Sequence, residues 1–176
     1  MFDKALTVNR PACSLWIAAL YAVVWGLPNT QQIMSAYQPA LGTFVQAYDS
    51  ELLDSNLLMM PLTGFLPIAD SRVARTIEAI ERTLMKDGLL MRYDARVDDG
   101  LPPGQGAFLP CSFWLVECLA LAGRSNDARA LFQRVAGLAN DVGLLSEQYD
   151  SDARRLTGNF PQGFTHAALV SAALRL

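Results

Sequence analysis

Two segments of this 176-residue chain carry side chains that could do chemistry together: GLLMRYD at residues 88–94 and GLLSEQYD at residues 143–150. The second has one inserted residue. Each follows an amphipathic helical pattern and precedes an apolar one, with a GAF or GNF sequence nearby. Loops in equivalent places belong on one rim of a helix layer. That rim would gather Arg92, Tyr93, Asp94, Asp98, Asp99, Gln105, Glu147, Gln148, Tyr149 and Asp150. Aromatic rings to stack on sugar faces, carboxylates for hydroxyls and a bidentate arginine are what a carbohydrate site needs. Asp150 is expected to order its own loop. His166, the single histidine, falls in the first turn of a helix and reads as a hydrogen-bonded structural residue.

Other chemistries find little support. There is no CxxC and no Cys/His cluster, so no metal site and no cofactor are expected. Cys111 and Cys118 stand seven apart on one helix, roughly 10 Å from each other and too far for a disulfide. Unpaired thiols point to a reducing, cytoplasmic setting. The net charge of −3 shows no basic face for nucleic acid or anionic lipid. Apolar residues are 52% and charged ones 18%, below the ~25% charged fraction usual for a soluble domain. Such a chain buries more surface than its length normally allows.

The elements that must position the rim are helices. Asp70 caps a pattern running to residue 87. Its stripe is Val73, Ile77, Ile80 and Leu84, and Gly88 marks the stop. A second amphipathic helix starts near Ser125 or Asn126, with Ala128, Leu131, Phe132, Val135 and Leu138 on one face. Between them, residues 108–122 (FLPCSFWLVECLALA) are apolar nearly all round and must be surrounded by protein. Residues 163–174 are similar, and an apolar stretch at 52–60 ends against Pro61. The pattern is outer amphipathic helix, loop, inner apolar helix. It predicts an all-α fold of roughly two-thirds helix in three hairpins. A sheet of three or more paired strands after Leu52 is not expected.

Residues 1–36 differ in character. No charge occurs between Arg10 and Asp49. Residues 14–27 form an apolar run shorter than the ~20 that span a membrane. A buried core helix, a secretory signal and a membrane anchor all fit, with no stable membrane association the preferred expectation. A signal would make the protein secreted.

The runs GQGAFLPCSFWLVECLALAGRSNDARALF, NDVGLLSEQYD and LTGNFPQGFTHAAL resemble the C-terminal part of glycoside hydrolase family fifteen, which includes glucoamylases, glucodextranases and bacterial trehalases. FVQAYDSELLDSNLLMMPLTGFLP also looks like a family segment, so the resemblance covers residues 37–176. It implies a ring of twelve helices in six hairpins, an (α/α)6 barrel, of which this chain supplies about half. Twelve helices of ~12 residues with connections of ~5 need roughly 200 residues. It further implies inverting hydrolysis of α-glucosidic bonds, in α-glucan or trehalose. An acid protonates the leaving oxygen, and a carboxylate ~6.5–9.5 Å away activates water.

By that match Glu147 is the general base and Arg92 binds the terminal sugar, with Tyr93, Gln148 and Tyr149 as further substrate-binding candidates. Gln105 stands where bacterial members usually carry glutamate. The tryptophan–glutamate–arginine segment that holds the general acid has no counterpart here. Trp16, Trp25 and Trp114 have no adjacent glutamate. The chain is therefore expected to be inactive alone and to self-associate through uncovered apolar helices such as 108–122. The alternative is a helical-repeat binding module without catalysis.

Overall fold

A computed structural model describes residues 30–48, 50–93, 96–97 and 106–176. Helix accounts for 48% of it, less than the expected two-thirds. After a short helix α1 (Thr30–Met34), strands β1 (Tyr37–Gln38) and β2 (Thr43–Phe44) form a small antiparallel hairpin. An inner segment follows, a 3-10 turn at Ser55–Leu58 running into α2 (Met59–Leu62). Pro61 lies within α2, where the sequence pattern had placed a stop. Outer helix α3 (Ser71–Leu84) leads through β3 (Met85–Lys86) and β4 (Leu89–Leu90) to β5 (Ala107–Phe108) and inner helix α4 (Leu109–Leu121). Outer helix α5 (Ser125–Ala136) then leads through β6 (Gln148–Asp150) and β7 (Arg155–Thr157) to inner helix α6 (Gly163–Arg175). The described residues thus hold two inner–outer pairs and a third inner helix.

The helices form for the reasons the sequence offers. Asp70 accepts the Arg72 N–H at 2.9 Å and caps α3. Val73, Ile77, Ile80 and Leu84 are buried along one face of that helix. In α5 the buried residues are Ala128 and Val135, while Leu131, Phe132 and Leu138 pack at the edge of the core. Helix α4 is buried from Leu109 through Leu119 and packs against α5, α6, α2 and the 3-10 turn. Cys111 and Cys118 are both free and buried there.

Two further expectations fail. Strands β5, β6 and β7 form a three-stranded antiparallel sheet within the interval that was to hold none. Its strands are two or three residues long, too short for a period-two pattern to register in the sequence. The second concerns cover. Helix α4, expected to be partly bare, is enclosed. Among the described residues the uncovered apolar face belongs to α6, where Phe164, Val170 and Leu174 are 51%, 54% and 85% exposed. On α6 only Thr165, Ala168 and Ala172 are buried, small residues that let it sit close to α4. Residues 1–29, with Cys13, Trp16, Trp25 and the apolar run, lie outside the described residues. Among those described, no helix is long and apolar enough to cross a membrane.

Candidate active site

Each rim loop hangs from the inner helix that follows it. The Leu90 N–H donates to Ser112 Oγ at 2.9 Å. The Leu145 N–H donates to His166 Nε2 at 3.1 Å. Leu90 and Leu145 are the second leucines of the two GLL segments, and Ser112 and His166 are each the fourth residue of their helix. The sequence repeat is therefore a structural one, and His166 acts as a hydrogen-bond acceptor in it. Further bonds fix both loops. Ser55 donates its N–H to the Arg92 carbonyl (2.7 Å) and its hydroxyl to the Met91 carbonyl (2.6 Å). Thr165 Oγ1 donates to the Ser146 carbonyl (2.9 Å), and the Gln162 N–H to that of Leu145 (3.0 Å). Strand β5 joins the two loops, with Ala107 opposite Tyr149 and Phe108 opposite Gln148.

The loops meet at one cavity of about 100 Å³ lined by Met91, Arg92, Tyr93, Gly106, Phe108, Glu147 and Gln148. Four of the five candidate residues from the sequence are brought together there. Tyr149 is not among them. Successive strand residues face opposite ways, and its ring packs against the core while Gln148 and Phe108 share the cavity side. Asp150 orders its turn: Oδ1 accepts the N–H groups of Asp152 and Ala153, both at 3.0 Å. Asp94, Asp98, Asp99 and Gln105 lie outside the described residues.

The Arg92 guanidinium lies 5.4 Å from the centre of the Tyr93 ring and 5.8 Å from that of Phe108, close enough for both to attract the cation. Its Nε is buried without a hydrogen-bond partner among the described residues. Asp54, bridged to Tyr93 through the backbone, sits behind it. Burial pushes the Asp54 carboxyl above its ordinary range, and the Asn56 N–H and the Arg92 charge pull it back.

Glu147 is half-buried. Its Oε2 accepts the Asn159 N–H at 3.1 Å and the Asn159 Nδ2 at 2.9 Å. Its backbone is tied on both sides, N–H to the Asn159 carbonyl (2.9 Å) and carbonyl to the Leu109 N–H (3.0 Å). Sequence reasoning noted the GNF run but missed Asn159, and it placed Phe108 inside a helix instead of in the cavity wall. Among the described residues no group of three or more His, Cys, Asp or Glu side chains is arranged to hold a metal.

The fold of inner and outer helices in alternation is shared with solved glycosidases. One, a wild-type glycosidase, matches with a TM-score of 0.72 and 24% identity, over 92% of this chain and 45% of that one. Another, a single-residue variant of a glycosidase in complex with glucose, gives 0.73 at 23% identity over 91% and 44%. The family model Glycosyl hydrolases family 15 matches residues 10–174, and the chain belongs to that family. The match begins well upstream of residue 37, where the motif resemblance starts. A trehalase of Mycobacterium tuberculosis is 43% identical over 136 residues, 77% of this chain and 20% of the relative. A trehalase of Thermoplasma acidophilum is 40% identical over 178 positions, 99% of this chain and 30% of the relative. The chain thus spans less than a third of these curated relatives.

Proposed function

We propose that Glu147 is the general base of an inverting α-glucoside hydrolase, with trehalose as the substrate, and that this chain carries the base half of the site. The observation behind this reading is the placement of Glu147 and Arg92 on one cavity. One glutamate oxygen is held by Asn159, and the other, Oε1, has no hydrogen bond among the described residues. Arg92, on the cavity wall between two rings, would hold the sugar hydroxyls, and Tyr93 and Gln148 would complete that wall.

In the reaction, Glu147 takes a proton from water as the water oxygen bonds to the anomeric carbon. The bond from that carbon to the leaving glucose oxygen breaks, and a carboxylic acid protonates this oxygen. Two glucose molecules result, the attacked one inverted from α to β. Among the described residues the cavity has one acidic side chain, Glu147, so the acid must come from elsewhere. The trehalase names of the relatives favour trehalose over α-glucan. The free thiols fit a cytoplasmic setting.

The test uses two proteins. The 176-residue chain alone is expected to release no glucose from trehalose, maltose or starch, and to elute as an oligomer through the bare face of α6. A hybrid, in which this chain replaces the aligned segment of the Thermoplasma acidophilum trehalase, is expected to hydrolyse trehalose and release β-glucose first. In that hybrid Glu147→Gln should lower kcat by ~10²–10⁴-fold. A hybrid that keeps its activity with Glu147→Gln overturns the base assignment. A monomeric 176-residue chain that hydrolyses trehalose overturns the half-site reading.

A further inference from the structure

We propose that Asn159 is the positioning residue for the base: the Gly158–Asn159 turn grips Oε2 of Glu147 and so assigns proton abstraction to Oε1. This rests on the reading of Glu147 given above and adds to it the group that aims the carboxylate.

Three hydrogen bonds join the two residues. The backbone of Glu147 donates to the Asn159 carbonyl at 2.9 Å. In return Asn159 directs two donors at the same carboxylate oxygen, its N–H at 3.1 Å and its side-chain amide at 2.9 Å. An oxygen receiving two N–H donors has its lone pairs engaged and is a poor proton acceptor. The other oxygen then does the work, and two contacts on one atom also stop the carboxylate from turning. Gly158 lets the turn come this close. It has φ +74°, and a Cβ built on it would stand 3.0 Å from both Cβ and Oε2 of Glu147. Aim matters because the water to be activated must lie between the base and the anomeric carbon, and a misplacement of ~1 Å can cost about 10²-fold in rate. Asn159 is exposed, so replacing its side chain disturbs no core.

A donor and a space-filler differ in how they respond to substitution. In the hybrid enzyme Asn159→Ala removes the side-chain donor and is expected to lower kcat about tenfold, with KM within about twofold. Asn159→Asp keeps the shape but turns a second carboxylate toward Oε2, and is expected to cost more than the alanine variant. Melting temperatures should stay close to that of the parent. Independently of activity, the side-chain amide resonances of Asn159 in the 176-residue chain should shift on Glu147→Gln. An Asn159→Asp hybrid with parental kcat overturns the proposal. So does a loss of kcat matched by a loss of melting temperature, and so do amide resonances that ignore Glu147→Gln. A hybrid still active with Glu147→Gln removes the base reading itself. One inactive with Glu147→Gln yet indifferent to both Asn159 variants removes this inference alone.

Discussion

Gly106 is where one methyl group should do the most damage. A Cβ built on it would stand 2.3 Å from the Tyr149 carbonyl oxygen, 2.5 Å from its carbon and 2.8 Å from the Asp150 nitrogen. Carbon contacts relax at ~3.5 Å or more, so in Gly106→Ala the chain around residue 106 and β6 must part by about 1 Å. The atoms met are backbone, which cannot rotate away. A shift of that size takes the pairing of Ala107 with Tyr149 beyond hydrogen-bond range. Overpacking costs ~1–3 kcal/mol, and the upper end applies here because no side chain can yield. For a chain of this size ~1 kcal/mol moves the melting temperature by ~2–4 °C, so a fall of about 6–12 °C is expected. Thermal unfolding followed by circular dichroism measures it. Gly163→Ala is the control, since a Cβ there meets nothing within 4 Å, and it should leave the transition in place. A Gly106→Ala chain melting with the parent would refute the close approach on which the geometry of the rim rests.

Two further outcomes concern the scaffold. Arg72 holds the Asp70 carboxyl down at about 2, chiefly by donating from Nε (2.9 Å) and Nη2 (2.6 Å). A lowered folded-state value stabilises above the unfolded value of ~3.9 and is lost as pH falls toward 2. Asp70→Ala should therefore cost about 1 kcal/mol at neutral pH, with the difference from the parent shrinking between pH 4 and about 2 in urea titrations. Glu117, 4% exposed in the core, accepts Ser171 Oγ at 2.9 Å and Arg175 Nε at 3.1 Å. Arg175→Ala strands that carboxylate and should cost ~2–3 kcal/mol in denaturant titrations, and adding Glu117→Leu should recover much of the loss.

The fold was legible wherever burial follows periodicity. The stripe of α3 and its Asp70 cap sit as their spacing requires, and the all-round apolar α4 is enclosed. Helix α6 is also largely apolar but has a different fate, because an apolar surface does not state which neighbour covers it. The meeting of Arg92 and Glu147 could be read from the two GLL segments, since a repeated local pattern puts loops on one rim. Asn159, Phe108 and Asp54 could not. Their parts depend on a turn closing back on Glu147, on a strand pairing with Gln148 and on a bridge to Tyr93, across 12 to 40 residues of chain. No local spacing encodes such meetings.

The suspension of each rim loop from the helix after it bears on how the chain comes off the ribosome. Leu90 waits for Ser112, and Leu145 for His166. Synthesis delivers a loop some twenty residues before the anchor that fixes it, and domains gather structure as they emerge, at ~5–20 residues per second. The outer helix and its loop therefore leave the tunnel unfinished, and every new inner helix completes the hairpin already made. The rim matures one step behind the nascent chain: the glutamate loop, already paired with β5 and closed by Asn159, gains its last ties when α6 arrives.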